Sequence, residues 1–466
     1  MRVLWTSPHC RPDWLDRLGE ESQGGQTVVM NKLPHALTHA DPSVRVDIFT
    51  RLQDGDPHAA DCKSLDSNPR VRLIRLPCGP TDRYVPKEFL YGEPIAEFVE
   101  HILAFAARDG LHYDLLHGHY ADGWEVVTTL KARWPHHPPT LLTTHSLGRR
   151  KRRDALERGE GTLEELDHRY NFPVRIASEE RSLAAVDRIL PLSTPEAEFL
   201  ATYYEAVPPG DSRVTVIPNG IDLADFPPAS PGTRFRIRSS LDVADSEFLL
   251  VVPSRVDPRK GQENILRALV EARPALASHS SCPELVLSPS TSLRINSVEG
   301  QSRRACPEQS RRRVRLLLLA WPEPPTDYAI RLRQLTTEQG LDDCVLTHPP
   351  VPHEHMPGYF AAADGIALPS QEYFSIVMLE AMLLECPLIA SVHGGSRDVI
   401  TDGANGFLVD HNDVAQLAQA VVRLVEMDEA ARRDMGRQAR QTILEGYTWD
   451  QIACRLLNIY RELVHS

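Results

Sequence analysis

The stretch Pro369-Ser370-Gln371-Glu372-Tyr373-Phe374-Ser375-Ile376-Val377-Met378-Leu379-Glu380-Ala381-Met382 sets two carboxylates eight residues apart, the second inside an almost wholly apolar run. Read as helix, eight residues rise about 12 Å and turn roughly two and a quarter times, so the carboxylates lie on similar sides, about a nucleotide-sugar length apart. Glu372 falls beside the helix start, where free backbone N–H groups bind phosphate. Glu380 stands among Ile376, Val377, Leu379, Met382, Leu383 and Leu384. A carboxylate buried there is costly unless it accepts hydrogen bonds, and a ribose diol would supply them. The structural alternative makes Glu380 a capped core carboxylate and Glu372 an ordinary first-turn acid.

The run continues through Ala390-Ser391-Val392-His393-Gly394-Gly395-Ser396-Arg397-Asp398-Val399-Ile400 and Asp402-Gly403-Ala404-Asn405-Gly406-Phe407-Leu408-Val409. In this order the phrases resemble the donor-binding region of retaining nucleotide-sugar glycosyltransferases of the GT-B fold. The resemblance implies that Glu372 contacts the transferred sugar and Glu380 the ribose. Two departures stand out: Ser375 takes a position usually held by glycine, and Glu385-Cys386 replaces the small residue plus glycine that normally closes the helix. A side chain at 375 would crowd the phosphate-binding backbone.

A chain of 466 residues has room for two or three domains with ample core. Hydrophobic content of 42% and charged content of 25% are those of a soluble globular protein. A formal charge of −13 disfavours nucleic acid and anionic membrane surfaces as partners. Eight cysteines without a CxxC or a Cys/His metal-ligand spacing argue against structural zinc and a disulfide framework, and for a reducing, cytoplasmic location. Met1-Arg2-Val3-Leu4-Trp5-Thr6-Ser7-Pro8 is too short and too quickly polar for a signal peptide, and no apolar run reaches membrane-spanning length, so stable membrane insertion is not expected.

Short apolar runs alternate with helical segments, the pattern of βαβ units around parallel sheets. Strands are expected at Val3–Thr6, Val44–Phe49, Val71–Leu76, Leu115–Gly118, Thr140–Thr143 and Arg188–Leu192, with a helix over Gln26–Ala40 that Pro34 would kink. A second series, after Pro208-Pro209-Gly210-Asp211, is expected at Val214–Ile217, Leu249–Pro253, Leu316–Ala320, Cys344–Thr347, Gly365–Leu368 and Pro387–Ser391. Two doubly wound α/β halves facing across a cleft follow, with ligands beyond the carboxyl ends of the strands. The expected division is 1–208, 209–448 and a terminal helix over 449–466, whose stripe of Ile452, Leu456, Leu457, Ile459, Tyr460 and Leu463 needs a partner. In the GT-B family such a helix crosses back onto the first domain. Residues 288–313 are polar, Arg-rich and aperiodic, and are expected to form a disordered insertion that spares activity.

Arg255 and Lys260 follow a predicted strand in Val251-Val252-Pro253-Ser254-Arg255-Val256-Asp257-Pro258-Arg259-Lys260-Gly261. Two cations on a strand-end loop would stabilise the charge growing on a departing nucleoside diphosphate; in isolation the same loop would be a solvated surface turn. The first half contains Glu21-Ser22-Gln23-Gly24-Gly25-Gln26, Arg75-Leu76-Pro77, Tyr84-Val85-Pro86-Lys87-Glu88, His117-Gly118-His119-Tyr120-Ala121-Asp122 and Thr144-His145-Ser146-Leu147-Gly148-Arg149. Together these resemble the sucrose-phosphate synthase and sucrose synthase branch of the family. The resemblance implies donor contacts from Gly25, Arg255, Lys260, Glu372, Phe374, Ser375 and Glu380. It places Gln26, Lys87, Tyr120, Ser146, Lys151 and Arg175 around the acceptor, and Arg255, Lys260, Glu372 and His145 at the reacting centre. His117 reads as strand-end packing.

These readings converge on a retaining glycosyltransferase moving a sugar from a nucleotide sugar, a UDP- or other NDP-hexose, to a small sugar or sugar-phosphate acceptor. No cofactor and no catalytic metal is expected, since side-chain cations and helix amides can hold the leaving group. The alternatives are a nucleotide-sugar 2-epimerase on the same fold and a catalytically impaired nucleotide-sugar-binding protein.

Overall fold

The computed structural model describes residues 1–15, 24–53, 63–83, 85–278, 313–370, 372 and 374–465. Its amino-terminal half is built on β1 (Arg2–Thr6), β2 (Arg45–Arg51), β3 (Lys63–Leu65), β4 (Asn68–Leu76), β5 (Leu115–His119), β6 (Thr140–Thr143) and β7 (Arg188–Leu190). They form one sheet in the order β3-β4-β2-β1-β5-β6-β7, parallel except for β3, which runs antiparallel to β4. The second half adds β8 (Phe248–Val252), β9 (Val314–Leu318), β10 (Val345–Thr347), β11 (Gly365–Leu368), β12 (Leu388–Ser391) and β13 (Phe407–Val409), all parallel, in the order β10-β9-β8-β11-β12-β13. Continuous apolar runs such as Phe248–Val252 are buried on both faces, as strands sandwiched between helical layers must be. This is the GT-B arrangement of two Rossmann-like sheets.

Each sheet reverses its strand order once, between β1 and β5 in the first and between β8 and β11 in the second. Loops leaving the carboxyl ends of those strands diverge and leave a crevice. Ser7–His9 follow β1, Tyr120 follows β5, Arg255 and Lys260 follow β8, and Glu372 follows β11.

The terminal helix Trp449–His465 buries Ile452, Leu456, Leu457, Ile459 and Tyr460 against Val3, Trp5, Met30, Leu33 and Leu37 of the first half. The Tyr460 hydroxyl accepts from Trp5 Nε1 at 3.0 Å and lies 2.7 Å from His117 Nδ1, all three groups being buried. The expected crossing back is therefore present.

Some expectations need correction. Val214–Ile217 is no strand of the second sheet; Val214 makes only an isolated parallel bridge to Ile189 of β7. Strands β3 and β13, three residues each, are additional to those expected. The helix after Gly24 does run from Gly25 to Ala40, through a buried Pro34. The span from Glu372 to Glu380 is not one helix: the helix covers Ile376–Leu383, and Glu372 precedes its cap. Of the expected insertion at 288–313, only Arg313, at the amino end of β9, lies among the described residues.

Tyr460→Phe should lower the thermal unfolding midpoint, because it strips a buried partner from Trp5 and from His117 at about 1–3 kcal/mol per group left unsatisfied. An unchanged midpoint would mean that this junction contributes nothing to holding the terminal helix.

Candidate active site

The loop after β8 closes on β11 through Gly261. Its φ is +72°, and a Cβ there would lie 2.0 Å from the Pro369 carbonyl oxygen, so only glycine fits. Beneath it the buried Gln262 donates to the Arg255 carbonyl at 2.8 Å. Arg259 forks onto Asp257 at 2.9 and 2.6 Å; burial would raise that carboxyl, but the guanidinium outweighs it and holds it at about 2. Arg259 is thus spent on the loop itself, while Lys260 Nζ contacts Glu372 Oε1. Arg255 is exposed at the same loop. Glu372 is in turn covered by Gly394, where a Cβ would stand 2.0 Å from the Glu372 carbonyl oxygen.

Ser375 is the N-cap of the following helix, its hydroxyl accepting from the Met378 N–H at 3.3 Å. Its φ of −86° is ordinary for any residue, so the backbone here does not require glycine. Phe374 points away from the crevice, 6% exposed and stacked on Tyr447 at 6.2 Å, so only its backbone is left to meet a ligand. Glu380 is 2% exposed. One oxygen accepts from His353 Nε2 at 2.9 Å, and the other has no partner. A buried carboxylate oxygen lacking a donor is an acceptor waiting for a ligand hydroxyl.

The facing wall begins at Gly25, where a Cβ would lie 3.4 Å from Ile376 of the helix carrying Glu380. Gln26 donates to Ser7 Oγ at 2.8 Å, Ser7 Oγ lies 3.3 Å from His9 Nδ1, and His9 Nδ1 lies 2.7 Å from the buried Asp122. The His9 ring meets the Tyr120 ring edge-on at 4.6 Å. Tyr120 is where the cations gather, its hydroxyl accepting from Lys151 at 2.8 Å and from Arg175 at 2.9 Å. Burial alone would raise the phenol, but Arg175, Lys151, Lys87 and His9 overcome it and hold it at about 6. Arg175 is fully engaged, also binding Glu179 at 2.8 Å and the Ser146 carbonyl at 2.9 Å. It organises the cluster, whereas the Lys151 ammonium rests on Tyr120 and the Lys87 ammonium is paired with Glu88 at 3.2 Å.

His145 takes φ = +53° and shares a 3.0 Å hydrogen bond with His119. Burial pushes its imidazole down to about 3, so at neutral pH it is an uncharged hydrogen-bonding group rather than an acid. His117 has both ring nitrogens occupied, by Tyr460 and by Thr143 Oγ1 at 2.8 Å, and is packing as expected. Three site residues escaped the sequence reading: His9, Asp122 and His353. Asp122 stood within a quoted phrase; His9 and His353 carry no local signal, since each acquires its role only through a partner more than twenty residues away.

With this geometry, comparison with known proteins is decisive. Residues 23–225 match the family described as Glycosyltransferase Family 4, and residues 302–427 that described as Glycosyl transferases group 1. A D-inositol 3-phosphate glycosyltransferase of Thermomonospora curvata is 32% identical over 470 residues, covering 98% of this chain and 95% of that one. The chain belongs to the group 1 glycosyltransferases. A sucrose-phosphate synthase from Thermosynechococcus elongatus superimposes on this glycosyltransferase with a TM-score of 0.75 at 27% identity, covering 99% of both chains. The Anabaena protein HepE, solved with UDP and glucose, gives 0.63 at 18% identity over 99% of this chain and all of that one, a likeness of fold alone. None of the described helices is long and apolar enough to cross a membrane.

The His353–Glu380 contact gives the glycosyltransferase a pH signature. The hydrogen bond to Glu380 raises the His353 pKa, against the effect of burial. A raised folded-state pKa stabilises below the unfolded value of about 6.5 and is lost as pH climbs through the folded one. His353→Gln should therefore lower the thermal midpoint most near pH 6, with the gap from wild type closing as pH rises. A pH-independent gap would show that the histidine acts by packing alone.

Proposed function

We propose that this glycosyltransferase moves a sugar, with retention, from a nucleotide-sugar donor held by the second half to a small phosphorylated hydroxyl acceptor held by the first. The observation that carries the reading is the continuous line of polar groups from Gln26 through Ser7 and His9 to Tyr120, Lys151 and Arg175, beginning where Gly25 abuts the helix of Glu380. A cationic cluster at one end suits a phosphate, and the groups around Glu372 at the other suit a nucleotide sugar. The names of the relatives agree, one acting on inositol 3-phosphate and the other making sucrose phosphate.

In this scheme the bond between the anomeric carbon and the β-phosphate oxygen breaks while the acceptor oxygen bonds the same carbon. The acceptor proton passes to the leaving phosphate oxygen, giving a glycoside phosphate and a nucleoside diphosphate. Arg255 and Lys260 stabilise the charge that grows on the diphosphate. Glu372 exchanges Lys260 for sugar hydroxyls, the unpaired oxygen of Glu380 accepts from the ribose, and neutral His145 hydrogen-bonds the sugar. The leaving group has side-chain cations and helix amides, so transfer should persist in EDTA.

Arg255→Ala or Lys260→Ala should lower kcat by about a hundredfold or more, the scale for losing one preorganised charge stabiliser. Wild-type turnover in both at saturating donor would remove the diphosphate assignment. For the acceptor, kcat/KM should favour fructose 6-phosphate or inositol 3-phosphate over the unphosphorylated compound, and Lys151→Ala or Lys87→Ala should erode that preference. Equal values for each pair in wild type would point to an uncharged acceptor.

A further inference from the structure

Strands β12 and β13 end side by side, Ser391 in register with Val409, and the chain beyond each carries unusual side chains to the same place. His393 follows β12; Asp410 and His411 follow β13. One ligand atom from each of the three lies within 4.8 Å of the others. We propose that His393, Asp410 and His411 form a binding site for a zinc-class divalent cation, separate from the residues assigned to sugar transfer.

Two imidazoles and a carboxylate are the donor set of open zinc sites, with a fourth position left for water. Magnesium and calcium prefer oxygen donors throughout, so the same set selects against them. The surroundings are organised as a metal site requires. The ring of His411 is 6% exposed, and its Nδ1 lies 2.9 Å from Ser391 Oγ, which leaves Nε2 as the ring nitrogen available to a ligand. A second partner on the distal nitrogen is what fixes ring and tautomer in ligating histidines. The same Ser391 oxygen accepts the His393 N–H at 3.1 Å, so one hydroxyl positions both histidines. His393 Nε2 already stands 3.0 Å from Asp410 Oδ1, and the Asn412 N–H donates to that oxygen at 3.0 Å.

A tetrahedral ion with ligands at about 2.0–2.2 Å needs donor separations of roughly 3.3–3.5 Å, so a pair at the 4.8 Å limit must draw in by about 1.3–1.5 Å. The side chains of His393 and Asp410, 43% and 40% exposed, have the freedom to do so, while buried His411 is the fixed point. Arg150, from the first half, donates to the His393 carbonyl at 2.8 Å, and its charge opposes a cation and so weakens the binding. The ion would thus sit where the two halves touch, one residue from the Gly394 that covers Glu372.

The test uses full-length protein stripped of metal, with zinc binding read by competition with a chromogenic chelator, so its result does not depend on the transfer reaction. Wild type should take up one zinc with micromolar affinity, undisturbed by millimolar magnesium. His393→Ala and Asp410→Asn, both at half-exposed positions and checked by circular dichroism, should each weaken that binding about tenfold or more. No zinc uptake by wild type, or equal affinity in wild type and both variants, overturns the site and leaves His393–Asp410 as a surface ion pair.

Discussion

The candidate active site depends on how closely the loop after β8 can approach the end of β11. At Gly261 the backbone leaves no room for a side chain against Pro369, and the turn is left-handed as well. Any other residue would push the loop outward and carry Lys260 away from Glu372. The contact between those two charges is therefore a consequence of backbone packing rather than its cause; a partly exposed ion pair contributes little to stability by itself. Without ligand, the pair satisfies two groups that would otherwise repel or desolvate a neighbour. A diphosphate would displace the carboxylate from the ammonium, and a sugar would compensate the carboxylate for the loss.

The opposite wall is held by a different kind of constraint. Arg175 is buried and each of its nitrogens is engaged, by Glu179, Tyr120 and Ser146. Glu179 is also held by the Gly148 N–H at 3.0 Å and by Tyr204 at 2.5 Å. Removing one member of so dense a network leaves charges stranded in low dielectric, at several times the worth of any single contact. The network itself is fixed, so its effect on a ligand is indirect: it sets Tyr120, whose oxygen in turn holds the Lys151 ammonium in place.

Much of the fold was legible because parallel strands buried on both faces read as apolar runs with few competitors. Thr140–Thr143 and Gly365–Leu368 fall at the expected limits, and the stripe from Ile452 to Tyr460 does meet the first half. Val214–Ile217 misled because four β-branched residues in a row suit a strand; the segment instead runs beside the end of β7, bonding Ile189 and Pro191, and joins no strand of the second sheet. At the site, Lys260 meets Glu372, and Lys151 and Arg175 meet at Tyr120, whereas His9 and His353 stayed hidden. Each is defined by one carboxylate distant in sequence, Asp122 and Glu380, and no local pattern encodes such a pairing. Phe374, quoted from the same phrase, has its ring in the core.

The two departures from the family pattern differ in physical character. Ser375 replaces a glycine without strain, because φ there is negative and the hydroxyl satisfies an otherwise free helix N–H. Glu385 does carry strain: its φ is +59°, in the region where a side chain costs roughly 1 kcal/mol relative to glycine. The backbone cannot relax outward, since Gly436 of the helix Glu429–Gly446 already touches the Glu385 carbonyl, with a Cβ position 2.1 Å away. The left-handed turn is thus imposed by the helix packed against it and not by the residue that adopts it. The packing of Gly436 sets where the helix bearing Glu380 ends, and Glu385 accommodates it.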